Sequence, residues 1–205
     1  MAETRIPTKG NLLASKKSLA LAKTGYDLLD RKRQVLLREM MSMMDKVKVL
    51  REQITESYQL GYFYLQQANM STGVIADIAN SIHEENSVKL RFRSVMGVEI
   101  PAIEIDDKPL VMEYGFAETS SKVDEAYIQF NKIKKLTMLL AEVDNGVYRL
   151  AKAISSTQKR ANALKNIVIP NLSENIKVIG EALEEKEREE FSRLKVIKAK
   201  QTKTA

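Results

Sequence analysis

Residues 12–54 read LLASKKSLALAKTGYDLLDRKRQVLLREMMSMMDKVKVLREQI. Stepping alternately three and four places gives Leu12, Ser15, Leu19, Ala22, Tyr26, Leu29, Arg33, Leu36, Met40, Met43, Val47, Leu50 and Ile54. A second stretch repeats the pattern with Ile133, Leu136, Leu140, Val143, Val147, Leu150, Ile154, Thr157, Ala161, Leu164 and Val168. An apolar seam recurring every 3.5 residues is what two helices need to wrap around each other with their seams facing. A helix of about 60 residues is roughly 90 Å long. Elements of that length hold, space or transmit.

The spacing predicts a mainly α fold. A long antiparallel two-helix coiled coil, made by the N- and C-terminal segments, carries a small central insert with a β-hairpin. The expected segments are an N-terminal extension (1–10), a first coiled-coil helix (11–70), the insert (71–118), a second coiled-coil helix (119–198) and a basic tail (199–205). Pro7 and Gly10 precede the first helix, with Thr8 or Asn11 as its cap. Asn69, Ser71, Thr72 and Gly73 read as its stop. Gly25 and Gly61 within it read as places where a neighbouring helix comes close.

The period changes to two across residues 88–105. Val88, Leu90 and Phe92 alternate with Lys89, Arg91 and Arg93, and after Met96-Gly97 an apolar run resumes through Val98, Ile100, Ile103 and Ile105. Pro101 is expected to make an irregularity there. Asp106-Asp107-Lys108-Pro109 is turn chemistry that closes the hairpin. Around Pro170 the second seam takes consecutive steps of four through Leu164, Val168, Leu172 and Ile176, a stutter that relaxes supercoiling; the proline either kinks the helix or starts a new one. In an antiparallel pair joined by this insert, facing positions have numbers adding to about 190. Arg33 and Thr157, the polar breaks in the two seams, then meet, and Phe191, Leu194 and Ile197 extend past the partner helix.

Composition narrows the functional classes. With 44% hydrophobic but only 6% aromatic residues and no Trp, the 205-residue chain has the make-up of long helices. It contains no Cys, which removes disulfides, thiolate nucleophiles and Cys-ligated metals and fits a cytoplasmic location. Residues 1–10 are polar and contain Pro7, unlike a signal or transit peptide, and no run approaches a membrane span. Chemistry is sparse. There is no phosphate-binding glycine loop; His83 with Glu84 and Glu85 reads as a solvated loop, and Asp106-Asp107 offers too few oxygens for calcium. Met40, Met41, Met43 and Met44 read as adaptable core packing rather than a copper site. No catalytic residue, cofactor or metal is expected, and the chain alone is not expected to be an enzyme.

The net charge of +6 points to an acidic partner surface. Basic clusters lie at Lys16-Lys17, Arg31-Lys32-Arg33 and Lys159-Arg160, with a tail of Lys195, Lys198, Lys200 and Lys203. The plain reading of each is a solvated helix face. No stacking aromatics or nucleic-acid reading module accompany them, so acidic protein loops are the better counterpart.

Several segments, in order, resemble one family. Ile6-Pro-Thr-Lys-Gly-Asn-Leu12, Gly25-Tyr-Asp-Leu-Leu29 with Arg31-Lys32-Arg33, Thr157-Gln-Lys-Arg-Ala-Asn-Ala-Leu164 leading into Ile169-Pro170, and Glu187-Arg-Glu-Glu-Phe-Ser-Arg-Leu-Lys195 are similar to the D subunit, the central rotor stalk, of rotary V/A-type ATPases. The length resembles bacterial and archaeal members. The resemblance implies a central rotor axle whose helices enter a ring of alternating catalytic (A-type) and non-catalytic (B-type) subunits. It also implies that the axle binds a small F-type subunit and stands on a cup subunit above the membrane ring, passing torque between ATP chemistry and proton or sodium translocation.

On this reading Lys159, Arg160, Lys165, Phe191, Arg193, Leu194, Lys195, Ile197 and Lys198 face the head and its bearing. Tyr58, Tyr62, Phe63, Tyr64, Leu90, Phe92, Ile100 and Ile103 face the small rotor subunit or the cup. A dimeric coiled-coil scaffold and a basic polyanion-binding helical protein are the alternatives. Self-association of the isolated chain would mark the first, and steeply salt-dependent polyanion binding the second.

Overall fold

The computed structural model describes residues 6–83, 88–105, 111–112, 114–115 and 119–204. Glu84, Glu85 and the Asp106–Pro109 turn lie outside them. Helix α1 (Lys9–Thr72) is followed by the short α2 (Ala76–Ser81), strands β1 (Val88–Val95) and β2 (Val98–Ile105), and helix α3 (Ser121–Ala163). A π-helical segment, Leu164–Val168, leads into α4 (Ile169–Thr204). Among the described residues no helix is long and apolar enough to cross a membrane.

Both ends of α1 have local causes. The Thr8 hydroxyl accepts the Asn11 backbone N–H at 3.2 Å, so of the two expected caps Thr8 is the one used. At the other end Gly73 takes φ +86° and its N–H reaches the Asn69 carbonyl at 3.0 Å, a left-handed stop that glycine adopts without strain. Between them every position of the first seam is buried or half-buried, whereas Leu13, Leu21, Leu28, Met41, Met44 and Val49 are exposed. The methionines thus divide as periodicity requires, Met40 and Met43 inward, Met41 and Met44 outward.

The chain divides into two compact units, Gln34–Ile154 and Met1–Arg33 with Ser155–Ala205. In the first, the α1 and α3 segments run antiparallel. Arg51 meets Asp144 at 3.5 Å, and the Ser71 and Ser120 hydroxyls are 2.9 Å apart. Leu36, Met43, Ile100 and Leu150 form its core, joined by Val95, Val98, Val143 and Val147. A second cluster, Ala68, Tyr114 and Val123 with Ile75, Ile78, Met112 and Tyr127, buries the underside of α2 and the residues before α3. Gly61 bears out the close approach expected of it, since an added Cβ would stand 2.8 Å from Ile133 Cδ1.

The other unit pairs the start of α1 with the end of α3 and with α4, again antiparallel. Lys9 binds Glu187 at 2.9 Å, and the Lys165 ammonium lies 5.8 Å from the Tyr26 ring centroid. The Glu187 carboxylate, hydrogen-bonded to Lys9, raises the lysine above its usual range. Gly25 is looser than expected, as its nearest neighbour would be Leu164 Cδ1 at an ordinary 3.8 Å. The polar layer comes together within one residue of the expected register. Thr157 is buried, and Arg33 bonds the neighbouring Gln158 and the Asp30 carboxylate, the latter at 2.6 Å.

Pro170 neither ends α4 nor begins it. A proline inside a helix lacks an N–H, and its ring crowds the carbonyl four residues back. The chain answers one turn earlier: the Ile169 N–H donates to the Leu164 carbonyl, five residues back, and backbone angles stay helical on both sides. This adds a residue to the turn. Residues 165–168 are exposed and the seam resumes at Ile169, continuing through Leu172, Ile176, Ile179 and Leu183. Val168, expected in the seam, is therefore outside it.

Candidate partner-docking surfaces

The hairpin matches its expected bounds. Met96 (φ 50°) and Gly97 (φ 77°) both occupy the left-handed region, as a two-residue turn of right-handed twist demands. The register sets Arg93 opposite Ile100, Phe92 opposite Pro101 and Leu90 opposite Ile103. Alternation then sorts the side chains onto two faces. Val95, Val98 and Ile100 pack into the core, and Arg93 on the same face reaches Glu39 at 2.8 Å. Ile100 is 2% exposed, so the candidate residue Ile100 faces the chain's own helices and presents nothing to a partner. The opposite face carries Val88, Leu90 and Phe92, all exposed, beside half-buried Ile103.

Two α3 side chains hold β2. Glu142 accepts the Ile103 backbone N–H at 3.0 Å, and Arg149 donates to the Glu99 carbonyl at 3.2 Å while its guanidinium carbon lies 5.4 Å from the Phe92 ring centroid. Sequence reasoning passes over both because a charged residue on a long helix looks like solvent-facing charge. Their weak signal is placement beside the seam positions Val143, half-buried, and Leu150, buried.

In the same unit Tyr58 and Tyr62 stack at 5.9 Å, and Tyr62 meets Phe130 edge-on at 6.0 Å. Phe63 meets Tyr64 at 5.9 Å, and the Lys122 ammonium is 5.9 Å from the Tyr64 ring. Of this candidate patch Tyr62 and Phe63 are the exposed members, and Tyr58 and Tyr64 are half-buried. Nearby, buried Tyr114 donates to Asp124 at 2.6 Å, and Tyr127 to the Val111 carbonyl at 3.1 Å. Burial first, then the bond to Asp124, pushes the Tyr114 phenol well above its ordinary range. Tyr114 escapes sequence reasoning because it lies in irregular chain, where no period marks it.

In the other unit Lys159 and Arg160 are exposed one turn before the π segment, and Lys165 is engaged over Tyr26. From Glu184 onward α4 is exposed throughout its described side chains. Phe191 (70% exposed), Leu194, Val196 and Ile197 stand in solvent. Arg193 pairs within its own helix, 3.5 Å from Glu189, and Lys195 and Lys198 are exposed.

Beside these features, paired seams, a side hairpin and an apolar helix end, stands a match of residues 11–199 to the family model for the D subunit of ATP synthase. The chain belongs to the ATP synthase D-subunit family. It is 43% identical to the V-type ATP synthase D subunit of Thermotoga neapolitana over 196 residues, which span 95% of this chain and 97% of that one. It is 36% identical over 198 residues to the A-type ATP synthase D subunit of Pyrococcus furiosus, covering 94% and 92%. The A-type ATP synthase D subunit of Methanosphaera stadtmanae is 34% identical over 197 residues, with the same coverage. The family match takes in both seams, the hairpin and most of α4, so it draws on both units. Among the described residues no group of three or more His, Asp or Glu side chains is placed to hold a metal ion.

Proposed function

We propose that this chain is the non-catalytic central rotor of a V/A-type ATP synthase, passing torque between the catalytic head and the ion-translocating membrane ring. The observation that carries the reading is the pairing itself. In each unit two antiparallel helices share an apolar seam, and a supercoiled pair resists twist better than one helix. Family membership supports the setting: the soluble sector of a membrane-bound complex, on its cytoplasmic side.

A rotor must hold its own helices firmly while its surroundings slide past. The seam meets the first need through apolar burial worth about 1.5–3 kcal/mol per large side chain. The exterior meets the second, because solvent-exposed charge pairs contribute only about 0–1 kcal/mol each and exchange readily with water. Lys159, Arg160 and Lys165 would give such contacts to the head, with Arg193, Lys195 and Lys198 at its bearing. Phe191, Leu194 and Ile197 would ride in an apolar collar. Tyr58, Tyr62, Phe63, Tyr64, Leu90, Phe92 and Ile103 would take the small rotor subunit or the cup, with Ile100 supporting the hairpin from beneath.

The test is reconstitution. The purified chain should neither bind nor hydrolyse ATP, and omitting it from an assembly of cognate subunits should abolish ATP-driven ion transport. Turnover by the chain alone, or full coupling without it, would overturn the reading. Deleting 88–105 should weaken assembly with the small subunit while the coiled coil stays folded.

A further inference from the structure

The two edges of the hairpin are not alike. A two-residue turn makes Val95 and Val98 a hydrogen-bonded pair, and such pairs alternate with pairs whose N–H and C=O groups point away from the partner strand. Glu99, Pro101 and Ile103 therefore direct their backbone outward on β2, and Val88, Leu90, Phe92 and Ser94 do so on β1.

On β2 that outer row is partly taken. Arg149 takes the Glu99 carbonyl, Pro101 has no N–H, and Glu142 takes the Ile103 N–H. On β1 nothing matches this. Among the described residues no hydrogen bond engages the outward groups of Leu90, Phe92 or Ser94, and every β1 residue before Val95 is exposed. Open strand edges pair with other strands unless they are blocked.

The side chains state what kind of strand fits. One face of β1 offers Val88, Leu90 and Phe92, and the other Lys89, Arg91 and Arg93. Arg91 and Arg93 hold Glu104 and Glu39 through half-exposed contacts, leaving guanidinium donors over. A second copy of β1 laid antiparallel would set these cations against themselves, and like charges directly opposed destabilise a sheet.

We infer that the outer edge of β1 receives an extended edge strand of another subunit of the complex. It pairs with the backbone of Leu90, Phe92 and Ser94, and its side chains alternate apolar and acidic. This rests on the reading that the hairpin docks a partner, and adds the mode of docking, strand addition.

The native Pro101 shows how to test it, because it occupies an outward position of β2 without breaking the ladder. Leu90→Pro should likewise keep the hairpin and remove one outward N–H, while Leu90→Ala removes the side chain alone. In the complex assembled from full-length cognate subunits, amides of Leu90, Phe92 and Ser94 should pass from fast to slow exchange. Leu90→Pro should weaken incorporation by about tenfold beyond Leu90→Ala, with the Arg91 and Arg93 amides still protected. If deleting 88–105 weakens assembly but the outward amides stay fast, docking uses side chains alone and strand addition is wrong. If the deletion leaves assembly intact, the docking reading itself fails, and the inference with it. A dimer of the isolated chain that Leu90→Pro abolishes would also overturn it, by making a second copy the occupant.

Discussion

Gly25 and Gly146 both sit inside long helices, so replacing either with alanine recovers about 1 kcal/mol of helix propensity. Their surroundings differ. A Cβ on Gly25 would meet only Leu164 Cδ1 at 3.8 Å, ordinary contact. A Cβ on Gly146 would stand 3.1 Å from both Ile100 Cγ2 and Met43 Sδ, and 3.5 Å from Met43 Cε. Met43 can turn aside, but Ile100 is branched at Cβ, nearly fully buried and fixed in the β2 ladder, so the added methyl lifts the hairpin from its seat. Overpacking of this kind costs about 1–3 kcal/mol. Gly25→Ala should therefore stabilise by up to about 1 kcal/mol, and Gly146→Ala should destabilise by roughly 0–2 kcal/mol once the propensity gain is subtracted. Urea unfolding followed by circular dichroism measures both, and the difference between the variants isolates the packing term. A Gly146→Ala protein as stable as Gly25→Ala would refute the claim that Ile100 is clamped against α3.

Tyr114→Phe should cost about 1.5–3 kcal/mol, the worth of a hydrogen bond to a charged group. Because folding raises the Tyr114 pKa, its contribution is fully present below the unfolded phenol value near 10 and is lost as pH rises towards the higher folded value. The gap in urea midpoint between wild type and Tyr114→Phe should thus be constant at neutral pH and close above pH ~10. In the polar layer, Gln158→Met should destabilise by roughly 1 kcal/mol, the worth of one hydrogen bond, because Arg33 keeps its ion pair with Asp30; a double-mutant cycle of Gln158→Met with Arg33→Met that shows no coupling would contradict the contact. Hydrogen exchange of the isolated chain should find residues 187–198 far less protected than 136–150, since a lone helix of that length is marginal in water; equal protection would mean that the end of α4 is already packed.

The seams are legible in the sequence because periodicity measures what a helix pair buries. Every seam position from Leu12 to Ile54 is buried or half-buried, and the near-190 pairing brings Arg33 to Gln158, next in sequence to Thr157. The hairpin is legible from its change of period and from Met96-Gly97. What escapes is the effect of one element on another. Leu90 and Ile100 group as one surface by composition, although the turn between them fixes their opposite faces. Val168 falls outside the seam because heptad counting assumes a constant turn, and the answer to Pro170 lies in the turn before it. Glu142 and Arg149 cannot be separated from solvated charge, since the backbone groups they satisfy lie about 40–50 positions away in sequence.

The widened turn at Leu164–Val168 also bears on how sequences of this family can diverge in length. Inserting or deleting one residue in an α-helix rotates everything beyond it by about 100°. Elsewhere in α3 or α4 such a change would swing the apolar stripe away from its partner helix. At Leu164–Val168 the chain already carries a surplus residue, so losing it converts a wide turn to an ordinary one and leaves Ile169, Leu172 and Ile176 in phase. Relatives one residue shorter in this part of the chain should therefore show their alignment gap within 164–168, and should lack a proline at the position of Pro170.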